Sequence, residues 1–334
     1  MGDSRAERLL RSVEGVVYWG AAAPVLARMP AVIGYRVACW RGDWLYRSHT
    51  AKRTNLERHL RQFLGSELNR TAARQAARDW FRFASCEAVD VMRLRHRAKP
   101  LRRLVKIEGR EHLEAALAGG KGAILCCAHF GSCNSGLSVL HTSGFPVTTI
   151  GRWQYKYTAG MSSAERRFWD RVLGRRVRRH RQRPMIEPWP GRVEVAAQAA
   201  SALRANEVVT ISIDAPPLDS DKARAVGVPF LGSQARLVPG IVTLARLTGA
   251  PVLMCSVYRS ADYRHQVLEI STPVPMAGDT ATAFGRCAAG VSAAIRRSPA
   301  SWVYWPSPVD FEDLGMTTPQ RDTAPVAGLV PVAV

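Results

Sequence analysis

The sequence predicts an α/β protein: a mixed central sheet flanked by helices, preceded by a helical region. Three observations carry this. Gly122-Ala123-Ile124-Leu125-Cys126-Cys127 is an apolar run that stops at His129 and gives way to small and polar residues. That is the pattern of a buried strand turning into a helix. Val208 to Ile213 is a β-branched run that stops at Asp214 in the same way. Around these runs, stretches with helical spacing alternate with further short strands.

Taken in order, residues 1–106 read as helical. Ala31 to Tyr46 has apolar residues at helical spacing, and Asn55-Leu56-Glu57-Arg58-His59-Leu60 begins another helix. Thr71 is the expected N-cap of a helix from Ala72 to Leu94, with a stripe of Ala76, Trp80, Phe83, Ala84 and Ala88. Arg93, Arg95, Arg97, Lys99, Arg102, Arg103 and Lys106 form a basic connector. The core, 107–312, opens on a strand at Val105–Gly109 and a helix at Glu111–Leu117. After the His129 strand come a helix from Ser132 to Ser143 and a strand at Val147–Ile150. A helix at Ala164–Leu173 leads to the densest charge in the chain, Gly174 to Arg183. Pro184, Pro188 and Pro190 follow, consistent with a loop over the site. Val193 to Ala205 reads as a helix, Pro229-Phe230-Leu231-Gly232 leads into a helix at Pro239–Thr248, and Val252–Tyr258 pairs with Gln266–Ile270. Thr280–Arg297 is the last helix, and 313–334 read as a loose tail.

Composition narrows the partners. The 334 residues carry a formal net charge of +20, so an acidic partner is expected, either an anionic membrane surface or an acidic carrier protein. Nucleic acid is not expected, because the basic residues are spread over several elements and no nucleic-acid-binding motif is present. The seven cysteines lack CxxC spacing and read as reduced thiols of a cytoplasmic protein. Alternation along a strand sends Cys126 and Cys127 to opposite faces, so no metal site is expected there. Gly15 to Ala27 is apolar but shorter than the roughly 20 residues a spanning helix needs. It either lies in a membrane interface, with Tyr18 and Trp19 at headgroup level, or packs as an ordinary buried helix. The expected location is cytoplasmic, with peripheral attachment to the inner face of the cell membrane.

His129-Phe130-Gly131, with an amide at Asn134, resembles the His-x4-acid signature of the lysophospholipid acyltransferase superfamily. It is most similar to the branch holding bacterial lipid A lauroyl/myristoyl and phosphatidylinositol mannoside acyltransferases. Ile211-Ser212-Ile213-Asp214, Val228-Pro229-Phe230-Leu231-Gly232, Val238-Pro239-Gly240, Thr248-Gly249-Ala250-Pro251-Val252 and Pro299-Ala300-Ser301-Trp302-Val303-Tyr304-Trp305 resemble later family segments in the right order. The resemblance implies transfer of an acyl group from a thioester, acyl-CoA or acyl carrier protein, with no metal or other cofactor. It makes His129 the general base and places an acid at Asp214. It suggests backbone amides near Phe230 and Gly232 as oxyanion donors, Arg152 as a headgroup contact, and Arg171 with Gly174 as an Arg-x-x-Gly element. One position departs: the family has an acid where this chain has Asn134. An amide can orient an imidazole but cannot stabilise an imidazolium, and such a swap in a Ser-His-Asp triad costs about 10^4 in rate. The expectation is therefore that Asn134 holds the ring and Asp214 supplies the charge.

The acceptor is a hydroxyl or an amine, with a glycolipid or similar lipid expected. Two other readings are compatible with Asn134: a diverged enzyme acting on a carrier-bound amine intermediate, and a decayed lipid-binding protein. Cys133, His129 and Asn134 also have the residue types of a cysteine nucleophile system, although adjacent positions rarely give its geometry.

Overall fold

The computed structural model describes residues 13–14, 17–65, 67–96, 103–151, 185–186, 194–217, 219–306, 311–312 and 314–316. The helical region comprises a wide turn at Tyr18–Ala22, then α1 (Ala23–Arg28), α2 (Ala31–Ser48), α3 (Thr50–Leu64) and α4 (Arg70–His96). α2 crosses α4 closely because one face of α2 repeats a small residue every four positions, the buried Gly34, Ala38 and Gly42. A Cβ on Gly42 would stand 2.5 Å from the Cα of Arg82. Beside it, Arg78 and Arg82 each donate to Asp43 Oδ1 at 2.7 Å.

Of the two readings of Gly15 to Ala27, the packed one fits Tyr18, which is 5% exposed. Its hydroxyl donates to the carbonyl oxygen of Ser85 at 2.8 Å, and the Arg41 guanidinium lies 3.5 Å from its ring centre. A tyrosine hydroxyl removed from water needs such a partner. Three local expectations shift. α3 starts at Thr50 rather than Asn55. The cap of α4 is Asn69, whose Oδ1 accepts the Ala72 N–H at 2.8 Å, not Thr71. Arg93 is no connector residue: it sits buried on α4, donates to the Met29 carbonyl at 3.1 Å and covers the Tyr35 ring. Residues 97–102 of that basic run lie outside the described residues.

The core follows as β1 (Val105–Glu108), α5 (Arg110–Ala118), β2 (Ala123–Cys127), α6 (Cys133–Thr142), β3 (Val147–Ile150), α7 (Glu194–Arg204) and β4 (Val208–Ser212). Then come β5 (Val226–Phe230), β6 (Ser233–Leu237), α8 (Gly240–Thr248), β7 (Val252–Arg259), β8 (Gln266–Pro273) and α9 (Thr280–Arg297). The sheet order is β1-β8-β7-β2-β4-β3. β7 and β8 are antiparallel and every other neighbouring pair is parallel, so the sheet is mixed as the sequence predicts. All five residues of β2 are buried, as a central strand covered on both faces requires. Cys126 enters the core on one side of the sheet and Cys127 the core on the other.

The sequence reading missed the β5–β6 hairpin. Its turn, Leu231-Gly232, has φ of +51° and +76°. Two-residue turns with both φ positive match the twist of the flanking strands, but they normally begin with Asn, Asp or Gly. A leucine in that place hides the turn. Among the described residues no helix is long and apolar enough to cross a membrane.

Candidate active site

β2 and β4 run parallel, with Cys127 opposite Ser212, and the Ile213 N–H donates to the Cys127 carbonyl at 3.0 Å. Two residues beyond each strand stand His129 and Asp214, side by side at one edge of the sheet. The site thus sits beyond the carboxyl ends of two central strands, where open α/β sheets place ligands.

Asp214 is fully buried. Its Oδ1 lies 2.7 Å from His129 Nδ1. Its two oxygens also accept the backbone N–H of His129, at 3.0 and 2.8 Å, and Oδ2 accepts Nε1–H of Trp302 at 2.8 Å. A buried carboxylate is costly unless it is met by such donors. The geometry holds the proton of a neutral His129 on Nδ1, facing the carboxylate, so that Nε2 is the basic nitrogen. The His129 side chain is 29% exposed. The Tyr304 hydroxyl lies 3.3 Å from Nδ1, with its ring edge-on to the imidazole.

The residues after His129 are clamped by the segment around Trp302. Val303 N–H donates to the His129 carbonyl at 3.2 Å, and Gly131 N–H donates to the Ser301 carbonyl at 2.9 Å. Gly131 has φ of +64°, and a Cβ there would stand 1.8 Å from the Val257 carbonyl oxygen, so only glycine fits. Trp80 on α4 donates from Nε1 to the Trp302 carbonyl at 2.9 Å, tying the helical region to the same clamp.

The other expected residues divide. Asn134 lies in the first turn of α6. The expected contact between Asn134 and the His129 ring is absent from the hydrogen bonds among the described residues. Phe230 is 1% exposed and packs edge-on to Trp302, so the β5–β6 hairpin abuts the site through that indole. Gly232 closes the hairpin turn, and the Leu231 N–H is already engaged with Ser292 Oγ at 3.2 Å. Arg152, Arg171 and the run from Gly174 to Arg183 lie outside the described residues. Cys133 donates to the carbonyls of Phe130 and Ala128 at 2.8 and 3.1 Å. Burial pushes its thiol up to about 12, which removes the thiolate a cysteine nucleophile requires. Among the described residues no group of three or more His, Cys, Asp and Glu could hold a metal ion.

Trp302 is the site residue that the sequence reading missed. Trp302 lay inside a recognised segment, but its bond to Asp214 spans most of the core.

The sequence model of one family, bacterial lipid A biosynthesis acyltransferase, matches residues 5–305. No curated protein matches the chain.

Proposed function

The chain belongs to the bacterial lipid A biosynthesis acyltransferase family and is an acyltransferase; on that premise we propose its donor, acceptor class and catalytic base. The donor is an acyl thioester, acyl-CoA or acyl carrier protein, and the acceptor is a hydroxyl or amine of a lipid-like molecule, foremost a glycolipid. The observation that carries the reading is the 2.7 Å contact between His129 Nδ1 and the buried Asp214. His129 Nε2 takes the acceptor proton as the acceptor oxygen or nitrogen attacks the thioester carbonyl. The carbonyl electron pair moves onto its oxygen. On collapse the C–S bond breaks, the thiolate takes the proton back from the imidazolium, and an ester or amide remains. Asp214 stabilises the imidazolium, a role Asn134 has no charge to perform. The thioester is already activated, so the reading invokes no cofactor.

Attachment to the inner face of a membrane belongs to the same proposal. Val32, Ile33, Trp40 and Trp44 on α2 are 43, 50, 64 and 52% exposed. Arg36 and Arg47 are exposed on the same helix. Apolar and aromatic residues interleaved with arginines suit an anionic headgroup layer.

The test is mass spectrometry of wild-type protein and His129→Ala incubated with acyl thioesters on CoA and on carrier protein, with and without total lipid extract. The expected result is an acylated lipid and thioester loss in the wild type, with neither in the variant. Equal turnover by His129→Ala would remove the base from the scheme.

A further inference from the structure

We propose that Cys39 of α2 and Cys86 of α4 form a modification site, a dithiol that peroxides oxidise to a disulfide joining the two helices. The inference stands on the helical region alone and is independent of the acyl-transfer reading.

The two sulfurs lie 3.7 Å apart. The register of the helix crossing puts them there. α2 and α4 run antiparallel: Gly42 faces Arg82, Arg41 Nη1 donates to Ser85 Oγ at 3.0 Å, the Tyr35 hydroxyl donates to Asp90, and Gly34 faces Arg93. Cys39 and Cys86 fall between these pairs. A disulfide needs Cα atoms within about 7 Å. Packed helices usually keep their axes about 8–10 Å apart, and the small residues Gly34, Ala38 and Gly42 draw these two together. Bond formation closes the sulfur gap to about 2 Å, a movement within reach of small side-chain rotations.

The other thiols mark the pair out. Of the seven cysteines, Cys39 and Cys133 are partly exposed and the other five are buried. Cys133 is engaged by two backbone carbonyls, and burial withholds its thiolate. Cys39 is therefore the thiol an oxidant reaches. The contact with Cys86 draws its thiol below the usual range against burial, and the Arg82 and Arg259 charges pull the same way. Cys86 is fully buried, and burial raises its thiol. The two roles follow from that asymmetry. The Cys39 thiolate attacks one peroxide oxygen, the O–O bond breaks, and hydroxide leaves with the electron pair, giving a sulfenic acid. The Cys86 sulfur then attacks the Cys39 sulfur. The S–S bond forms, the S–O bond breaks, and the hydroxyl leaves as water with the Cys86 proton. Both sulfurs are oxidised, and the peroxide ends as two waters once the hydroxide takes up the proton first shed by Cys39.

The product lies close to the supports of the site. Trp80 of α4 donates to the Trp302 carbonyl, and Asp90 of α4 accepts from Ser132 Oγ at 3.2 Å. The disulfide thus joins α2 to the helix that meets both ends of the His129 loop.

The test uses the full-length protein, reduced, freed of reductant and held under native conditions with a few equivalents of hydrogen peroxide. Remaining thiols are alkylated after denaturation, and tryptic peptides are mapped by mass spectrometry without reduction. The expected product is peptide 37–41, which carries Cys39, joined to peptide 83–93, which carries Cys86, and lighter than the two reduced peptides by two hydrogens. Dithiothreitol releases both. The cross-link is expected to raise the melting midpoint by about 4–8 °C, because it restricts the unfolded chain. In Cys86→Ala the sulfenic acid has no thiol to meet, and dimedone is expected to label Cys39. Cys39 recovered as sulfinic or sulfonic acid, with Cys86 a free thiol, overturns the inference. So does a Cys39 bond to a second copy of the chain, and so does treated protein with both thiols unchanged. A cross-link that lowers the midpoint overturns it too, since the native crossing then does not fit the bond. Should Cys86→Ala fail to fold, the wild-type map decides alone.

Discussion

The strongest local constraint at the candidate site is the number of donors converging on Asp214. The His129 ring, the His129 backbone and the Trp302 indole all meet one buried carboxylate. Asp214→Asn keeps the shape but loses the charge, and its NH2 must face at least one of those donors. We expect kcat for thioester turnover to fall about 10^3- to 10^4-fold with KM nearly unchanged. Steady-state thiol release measures this, and full turnover would remove Asp214 from the mechanism. His129 and Asp214 were legible in the sequence because each closes an apolar run, and parallel strands of one sheet bring such ends together. Trp302 was not, because its indole reaches Asp214 only after the chain has passed through β5 to α9. Asn134 was misleading: its position in the signature suggested the imidazole as its partner, whereas the imidazole meets Asp214 beyond the end of β4.

Among the elements, the longest helices and the central strands were legible from periodicity. Thr280–Arg297 appears with its predicted bounds, capped by Asp279, whose side chain accepts the Thr282 N–H at 2.7 Å. The β5–β6 hairpin was lost because Leu231 stands where turn chemistry calls for Asn or Gly. The α2–α4 crossing is tied by Asp43. Burial would raise its carboxyl, but the hydrogen bonds from Arg78 and Arg82 outweigh burial and hold it below the usual carboxylate range. An unfolded aspartate ionises near pH 4. The ion pair therefore contributes its full stability above that pH, and the contribution fades as pH falls toward the lower folded value. Asp43→Asn is expected to cost about 1–2 kcal/mol at pH 7, a modest figure because partly exposed pairs are screened. Arg78 is 36% exposed. The gap between variant and wild type should narrow by about pH 3. Urea unfolding at the two pH values checks this, and an equal gap at both would show that packing, not charge, holds the crossing.

Over the whole molecule, a strongly basic chain presents apolar residues to solvent on α2, which packs against the helix that braces the site. Trp40→Glu/Trp44→Glu is expected to weaken sedimentation with anionic vesicles by about tenfold or more, since each indole contributes roughly 1.5–3 kcal/mol when buried. Fold stability should change by no more than about 0.5 kcal/mol per exposed position. Unchanged vesicle binding would move the attachment surface elsewhere. The α/β class and the helical region were readable from the sequence. The way α4 reaches into both ends of the His129 loop was not, because no local pattern records which helix face meets which loop. The Trp302 clamp has a last consequence, for biogenesis. During synthesis the ribosome releases His129 well before the segment that restrains it. A nascent chain halted in α9 can already hold helices and sheet, yet its imidazole lacks the indole and backbone restraints of the finished protein. Competence to handle a reactive thioester therefore arrives late in translation, and premature stops before Trp302 should leave inert fragments rather than unregulated hydrolases.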